Sequence, residues 1–285
     1  MVSVFLPEDS GLKQEKVKQL QYTLDQALIK EAMEAPADNA RLYVAAYSVK
    51  SQVSLSSQRA KSQQCTAYGV GGDFFRFHNY ELISGSYLME DSIANDQVVI
   101  DEEAAWKIFG AIEVDGMTLT YNGKEYIVQG VVKPQDGYKA KAGGAESGTV
   151  FFPLEAIGQD ADCYEIIFPN PVSGFALKQV KGAFTSCGYS EDDIRIIDNS
   201  ERYNFVNSAK RVLKWTDKGM AFKALKYPYW ENSAIAVENI VDLLTFFRII
   251  FIIPPIAIVI ISVICFHPIH RLKLLILRIV EHFRK

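Results

Sequence analysis

The sequence predicts an α+β protein: two β-α-β units far apart in the chain form one split subdomain, a small mostly β subdomain is inserted between them, and one transmembrane helix follows. Three observations lead there. Strand, helix and strand periodicities follow one another at both ends of the first 200 residues, the stretch of about 72 to 155 between them reads mainly as short strands, and eighteen consecutive residues near the C-terminus carry no charge. Two β-α-β units interrupted in this way make a ferredoxin-like arrangement. The boundaries read as 1–71 and 156–232 for the split subdomain, 72–155 for the insert, 233–266 for the stalk and membrane helix, and 267–285 for the tail.

Val2 to Leu6 reads as a strand, and Val17, Leu20, Leu24, Ala27 and Leu28 recur at helical spacing within Leu12 to Met33, with Ser10 as its N-cap. Leu42 to Ser57 and the run up to Val70 suggest a hairpin rich in Val, Tyr, Ala and Ser. Gln97 to Asp101 is a strand and Glu102 to Phe109 a short helix. Met117 to Tyr121 joins Glu125 to Val132 through Asn122-Gly123, a pair that favours a type I′ turn. Lys133 to Gly148, with four Gly, reads as a mobile surface loop, and Thr149 to Phe152 returns as a strand. The second β-α-β is Tyr164 to Phe168, Gly174 to Thr185 and Ile194 to Ile197. Ser200 then caps a helix whose apolar positions Phe205, Ala209, Val212, Leu213 and Trp215 lie largely on one side.

The run from Ile249 to Phe266 is about 27 Å long as a helix, close to the thickness of a bilayer core. A buried core helix would show polar residues every third or fourth position, whereas only Ser262 interrupts the apolar character. Pro254 and Pro255 predict a kink in its outer turn, of a kind that membrane helices tolerate beside a partner helix. Arg248 can reach the headgroups from the outer edge, and Tyr227, Tyr229 and Trp230 suit the outer membrane interface. Basic residues follow the span, so the positive-inside rule puts the tail in the cytoplasm and residues 1 to about 240 outside. The first ten residues resemble no export signal. Met1 is therefore read as an internal start, with a membrane helix or signal upstream in the natural polypeptide.

At 285 residues and roughly 150 per domain, about two domains fit. With 49% hydrophobic and 22% charged residues, disorder and mini-protein scaffolds are excluded. The net charge of -4 offers no basic field for nucleic acid. The charge is uneven: 267–285 carries +4, leaving -8 on the remainder. No Walker lysine motif, His-Glu-x-x-His, Gly-x-Ser-x-Gly or Cys-x-x-Cys occurs, and of the four His only His78 precedes the span. Catalysis, a His-based zinc site and a cofactor are not expected. Gly69-Val-Gly-Gly-Asp73 lacks phosphate-loop spacing and reads as a structural turn. The acidic clusters flank turns or helix starts and form no convincing acid and base pair.

Cys265 lies within the span, and Cys65, Cys163 and Cys187 precede it. Cys163 begins a strand and Cys187 follows the returning helix, which puts both at one end of that β-α-β unit. Two readings stay open, a Cys163–Cys187 disulfide and two reduced, half-buried thiols. In the tail, Ile269, Leu272, Ile276, Ile279 and Phe283 repeat at three-four spacing, and Arg271, Arg278 and Lys285 share another face. Together with Lys273 they suit either the anionic inner leaflet or a cytoplasmic partner.

Gly72-Asp73-Phe74-Phe75, Leu82-Ile-Ser-Gly85, Val98-Val-Ile-Asp-Glu-Glu-Ala-Ala-Trp-Lys-Ile-Phe-Gly110, Asp115-Gly116 and Tyr126-Ile-Val-Gln-Gly-Val-Val132 together resemble the MacB-type periplasmic core domain. That domain occurs in permeases of the MacB/FtsX group of ABC transporters. The likeness is strongest over Gly69 to Pro153. Cys163 to Pro171 and Tyr227 to Asn232 are similar to stretches of permease-like proteins of Gram-positive bacteria. The resemblance implies a porter-type split subdomain and a mechanical, non-catalytic function. It also implies an ABC ATPase as a separate chain, a further permease chain or homodimer, and contact with membrane lipid. Ser200 to Trp215 and the segment through Trp230 would be the stalk, Ile249 to Phe266 the transmission element and Arg271 to Lys285 the inner contact. The alternative is a single-pass, membrane-anchored binding or adaptor protein without an ATPase.

Overall fold

In a computed structural model of the chain, residues 1–7, 11–33, 41–89, 95–214 and 225–266 are described, together with Lys273, Ile276, Ile279 and His282 in the tail. The expected N-cap Ser10, the apolar Trp215 and the tail residues Arg271, Arg278 and Lys285 lie outside the described residues, as does the side chain of Phe266. Two units form: Met1–Arg202 with Gly219–Val237, and Tyr203–Lys218 with Glu238–Lys285.

The first unit begins with β1 (Val2–Phe5), α1 (Gln14–Lys30), β2 (Val44–Leu55) and β3 (Gln63–Gly72). It continues through α2 (Phe74–Phe77), β4 (Leu82–Gly85), β5 (Gln97–Asp101), α3 (Glu102–Phe109), β6 (Thr118–Tyr121), β7 (Lys124–Val132) and α4 (Tyr138–Gly143). Then come β8 (Thr149–Pro153), α5 (Leu154–Ile157), β9 (Cys163–Ile167), α6 (Phe175–Ser186) and β10 (Arg195–Asp198). One sheet runs in the order β10-β1-β9-β2-β3-β8-β5-β7-β4, with β6 paired to β7. Its first four strands are antiparallel neighbours and interleave the two β-α-β units, as a split β-α-β requires. The sheet continues into the expected insert through the parallel pair β3–β8.

Strand alternation divides the core between two faces. Val150 and Phe152 of β8 join α1, α3 and α6 in one hydrophobic cluster, while Phe151 belongs to the other, with Tyr68, Phe74 and Tyr80. Asn122 and Gly123 turn the β6–β7 hairpin with φ of 50° and 76°, the two positive values a type I′ turn demands. Asp101 caps α3, accepting from the Ala104 amide at 2.7 Å and, through its other oxygen, from the Thr149 amide at 2.8 Å. Burial still pushes its carboxyl above the usual range. Gly72 ends β3 at φ +64°, where a Cβ would overlap the Ala45 carbonyl, so steric closeness accounts for this glycine. The Lys133 to Gly148 stretch departs from expectation: it folds the helix α4 inside what reads as a loop.

In the second unit, α7 (Phe205–Leu213) accompanies the part of α8 (Tyr229–Phe266) that begins at Glu238. Asn204, not Ser200, caps α7, accepting from the Val206 amide at 3.0 Å. Helix α8 is long and apolar enough to cross a membrane over Tyr229–Ile264, and it passes through Pro254 and Pro255 without a break.

Candidate functional site at the root of the long helix

Helix α8 begins within the first unit, three residues after the linker residue Lys226. Trp230 fits against the second face of the sheet, its ring 4.0 Å from His78, 5.7 Å from Tyr68 and 5.8 Å from Phe74, centroid to centroid. The neighbouring Tyr229 hydroxyl lies 2.9 Å from that of Tyr80, and burial pushes the Tyr229 phenol up to about 12. Tyr227 meets Phe5 edge to face at 5.0 Å. These three rings, expected at the membrane interface, are half-buried against the protein domain. Trp230 and Tyr227 meet aromatic rings of the domain, and Tyr229 meets the Tyr80 hydroxyl with its own.

The next residue, Glu231, is buried and accepts two hydrogen bonds from the Arg202 guanidinium, at 2.7 and 2.8 Å. Both side chains are 4% exposed, so this is a desolvated, bidentate ion pair. Arg202 also donates to Asn199 Oδ1 at 3.1 Å, and Asn199 Nδ2 donates to Ser3 Oγ at 2.9 Å. Ser3 donates on to Glu165 at 3.5 Å, and the other Glu165 oxygen lies 2.7 Å from His78 Nε2. Because His78 carries the Trp230 ring, the polar chain starts and ends on the first turn of α8. Charges this deep need partners, and each one here has at least one.

Helix α4 completes the socket. Gly143 lies so close to α8 that a Cβ would overlap Ser233 Oγ and the Tyr229 carbonyl. Ser233 Oγ in turn donates to the Lys139 carbonyl at 2.8 Å. The glycines that suggest a mobile loop therefore include one that permits helix-to-helix contact. Beside the root lies a cavity of about 720 Å³ whose lining includes Lys13, Lys50, Tyr68, Asp160, Lys226 and Tyr227. It is amphoteric rather than apolar. Among the described residues no group of three His, Cys, Asp or Glu is arranged to hold a metal.

The other expected site residues lie elsewhere. Arg248 sits over the Phe205 ring, 4.6 Å from its centroid. Pro254 and Pro255 are exposed on α8, Ile249 is half-buried, and Lys273 is helical and exposed. Cys163 and Cys187 are both free thiols, which corrects the disulfide alternative. Alternation along β9 puts Cys163 on the face of Glu165, whereas Cys187 packs with α6 on the face of Tyr164, so the sheet itself separates them. Burial raises the Cys163 thiol well above its ordinary value and the Cys65 thiol to about 11. Maleimide labelling of the native protein, read peptide by peptide, is expected to modify the half-buried Cys187 first and to reach Cys65 and Cys163 only on unfolding. Equal labelling of all three would contradict these placements.

Arg202, Asn199, Ser3, Glu165 and Glu231 are absent from the residues that the sequence singles out. One signal was available for Glu165: a carboxylate in the middle of Cys-Tyr-Glu-Ile-Ile, a strand otherwise suited to burial.

A split β-α-β domain with a membrane-length helix rooted in it by buried polar and aromatic contacts defines a class, a domain built on a helical anchor. The chain belongs to the family of MacB-like periplasmic core domains, whose model matches residues 8–183. Its fold is that of the periplasmic region of MacB from Actinobacillus actinomycetemcomitans, with TM-score 0.51 and 18% identity over 77% of this chain and 94% of that one. The extracellular domain of the noncanonic ABC-type transporter YknZ from Gram-positive bacteria aligns at TM-score 0.45 and 11% identity, over 69% of this chain and 99% of that one. A domain of a permease protein from Porphyromonas gingivalis aligns at TM-score 0.38 and 15% identity, over 58% and 79%. No curated protein matches the chain.

Proposed function

We propose that the chain is a non-catalytic, permease-type subunit of an ABC transporter, in which ATP hydrolysis by a separate cytoplasmic chain moves the extracytoplasmic domain through α8. The observation that carries this reading is the continuity of α8. It is one helix of 38 residues whose first turns hold Trp230 and Glu231 in the domain and whose later residues form an exposed apolar rod. A helix without a break can pass displacement along its axis, since its backbone hydrogen bonds run from one end to the other. In this reading 233–266 is stalk and span, and the tail lies in the cytoplasm. Arg271, Lys273, Arg278 and Lys285 there meet the ATPase or the inner leaflet, and a further permease chain or a second copy completes the membrane part.

The test is purification of the tagged, full-length protein in mild detergent, followed by mass spectrometry and an ATPase assay. Wild type is compared with the charge-reversed tail Arg271→Glu/Arg278→Glu. An ATPase that copurifies with the wild type and is lost on charge reversal supports the proposal. Absence of any ATPase from both samples favours the anchored binding or adaptor protein.

A further inference from the structure

Helix α7 is built inside out for a helix of a water-soluble unit. At 3.6 residues per turn, Phe205, Val206, Ala209, Val212 and Leu213 share one arc of its surface, and Ser208 and Arg211 share another. The polar arc is the packed one. Ser208 is fully buried and accepts from Arg211 Nη2 at 2.9 Å, and Arg211 also binds Asp242 at 2.9 Å and Glu238 at 3.0 Å on α8. The apolar arc is open, with Phe205 at 40%, Val206 at 54% and Leu213 at 81% exposure.

We propose that this arc lies in the outer membrane interface, with lipid as its occupant. The inference rests on the reading of α8 as a membrane span. Three observations select lipid. The Phe205 ring lies against the guanidinium of Arg248, the residue directly before the charge-free run, so one end of α7 is level with the start of the span. Exposed Lys210 and Lys214 flank the arc and no acidic residue occurs in 203–214, a pattern that complements anionic headgroups. The two carboxylates nearest the level of α7 on α8, Glu238 and Asp242, are tied to Arg211, while Leu243, Leu244, Phe246 and Phe247 beside them are exposed. The apolar surface is thus continuous from α7 onto α8 and into the span. The nine residues from Ile240 to Arg248 rise about 13 Å, enough to cross the headgroup layer of about 5–8 Å on that side of the core.

The experiment places a benzophenone amino acid at Val206, at Leu213 or at Ile258, singly, in the full-length protein reconstituted into phosphatidylglycerol/phosphatidylcholine vesicles. Ile258 reports on the span alone. After irradiation, intact-mass analysis separates lipid adducts from protein cross-links. Lipid adducts at 206 and 213 in yields of the same order as at 258 are expected. Lipid adducts at 258 with only protein cross-links, or none, at 206 and 213 overturn the assignment of α7 and leave the span intact. No lipid adduct at any of the three sites overturns the span and this inference with it.

Discussion

Glu231→Ala is expected to destabilise the domain by about 3–5 kcal/mol, because it leaves the Arg202 guanidinium buried without its bidentate partner. Both side chains are only 4% exposed, so solvent screening does little to relieve the loss. For a domain of this size that corresponds to a fall of roughly 10 °C in Tm. Removing both charges is expected to be milder. The double variant Arg202→Met/Glu231→Leu places apolar groups of similar volume in the same space and avoids the unpaired ion, so it recovers most of the stability. Thermal unfolding of the wild type, the single and the double variant in the same detergent checks the order. If the single variant loses less than the double, the ion pair is not what holds the root of α8.

The split β-α-β was legible because its signals are local. Apolar spacing within β1, α1, β9 and α6 is a property of each segment, and the interleaved order β10-β1-β9-β2 follows once two such units share a sheet. The β6–β7 hairpin was legible for the same reason, since Asn122-Gly123 carries its own turn geometry. The site was not legible, because it is assembled from positions that no local pattern links. Ser3 and Glu165 are 162 residues apart in the chain, and His78 and Glu165 are 87 apart. The aromatic cluster around Trp230 is visible in the sequence, but its packing partners are not. A Tyr-Pro-Tyr-Trp segment beside an apolar helix suits a membrane interface, and equally suits packing against other aromatic rings. Tyr80, His78 and Phe74, which face these rings, come from a distant part of the chain that no local pattern connects to them. Gly143 is ambiguous in the sequence in a similar way: glycine marks both flexible loops and close backbone approach, and here the approach of α8 is its reason.

Trp230→Ala tests the apolar half of the same anchor. Truncating a large aromatic ring packed on four others costs about 3–5 kcal/mol, and the low end is expected here because Trp230 is partly exposed. Trp230→Phe is expected to cost far less. It keeps a ring over His78 and forfeits no hydrogen bond, since the buried indole Nε1 has no partner among the described residues. Amide hydrogen exchange gives the spatial reading: Trp230→Ala should weaken protection in the first two turns of α8 and leave α1 and α6, on the other face of the sheet, unchanged. Combining Trp230→Ala with Glu231→Ala separates a shared anchor from two independent contacts. If the ring and the carboxylate hold one helical turn together, its release by either change removes most of what the other contributes, and the double variant loses clearly less than the sum. Strict additivity would mean that α8 is held by two unrelated contacts, and the first turn could not then act as one joint between domain and helix.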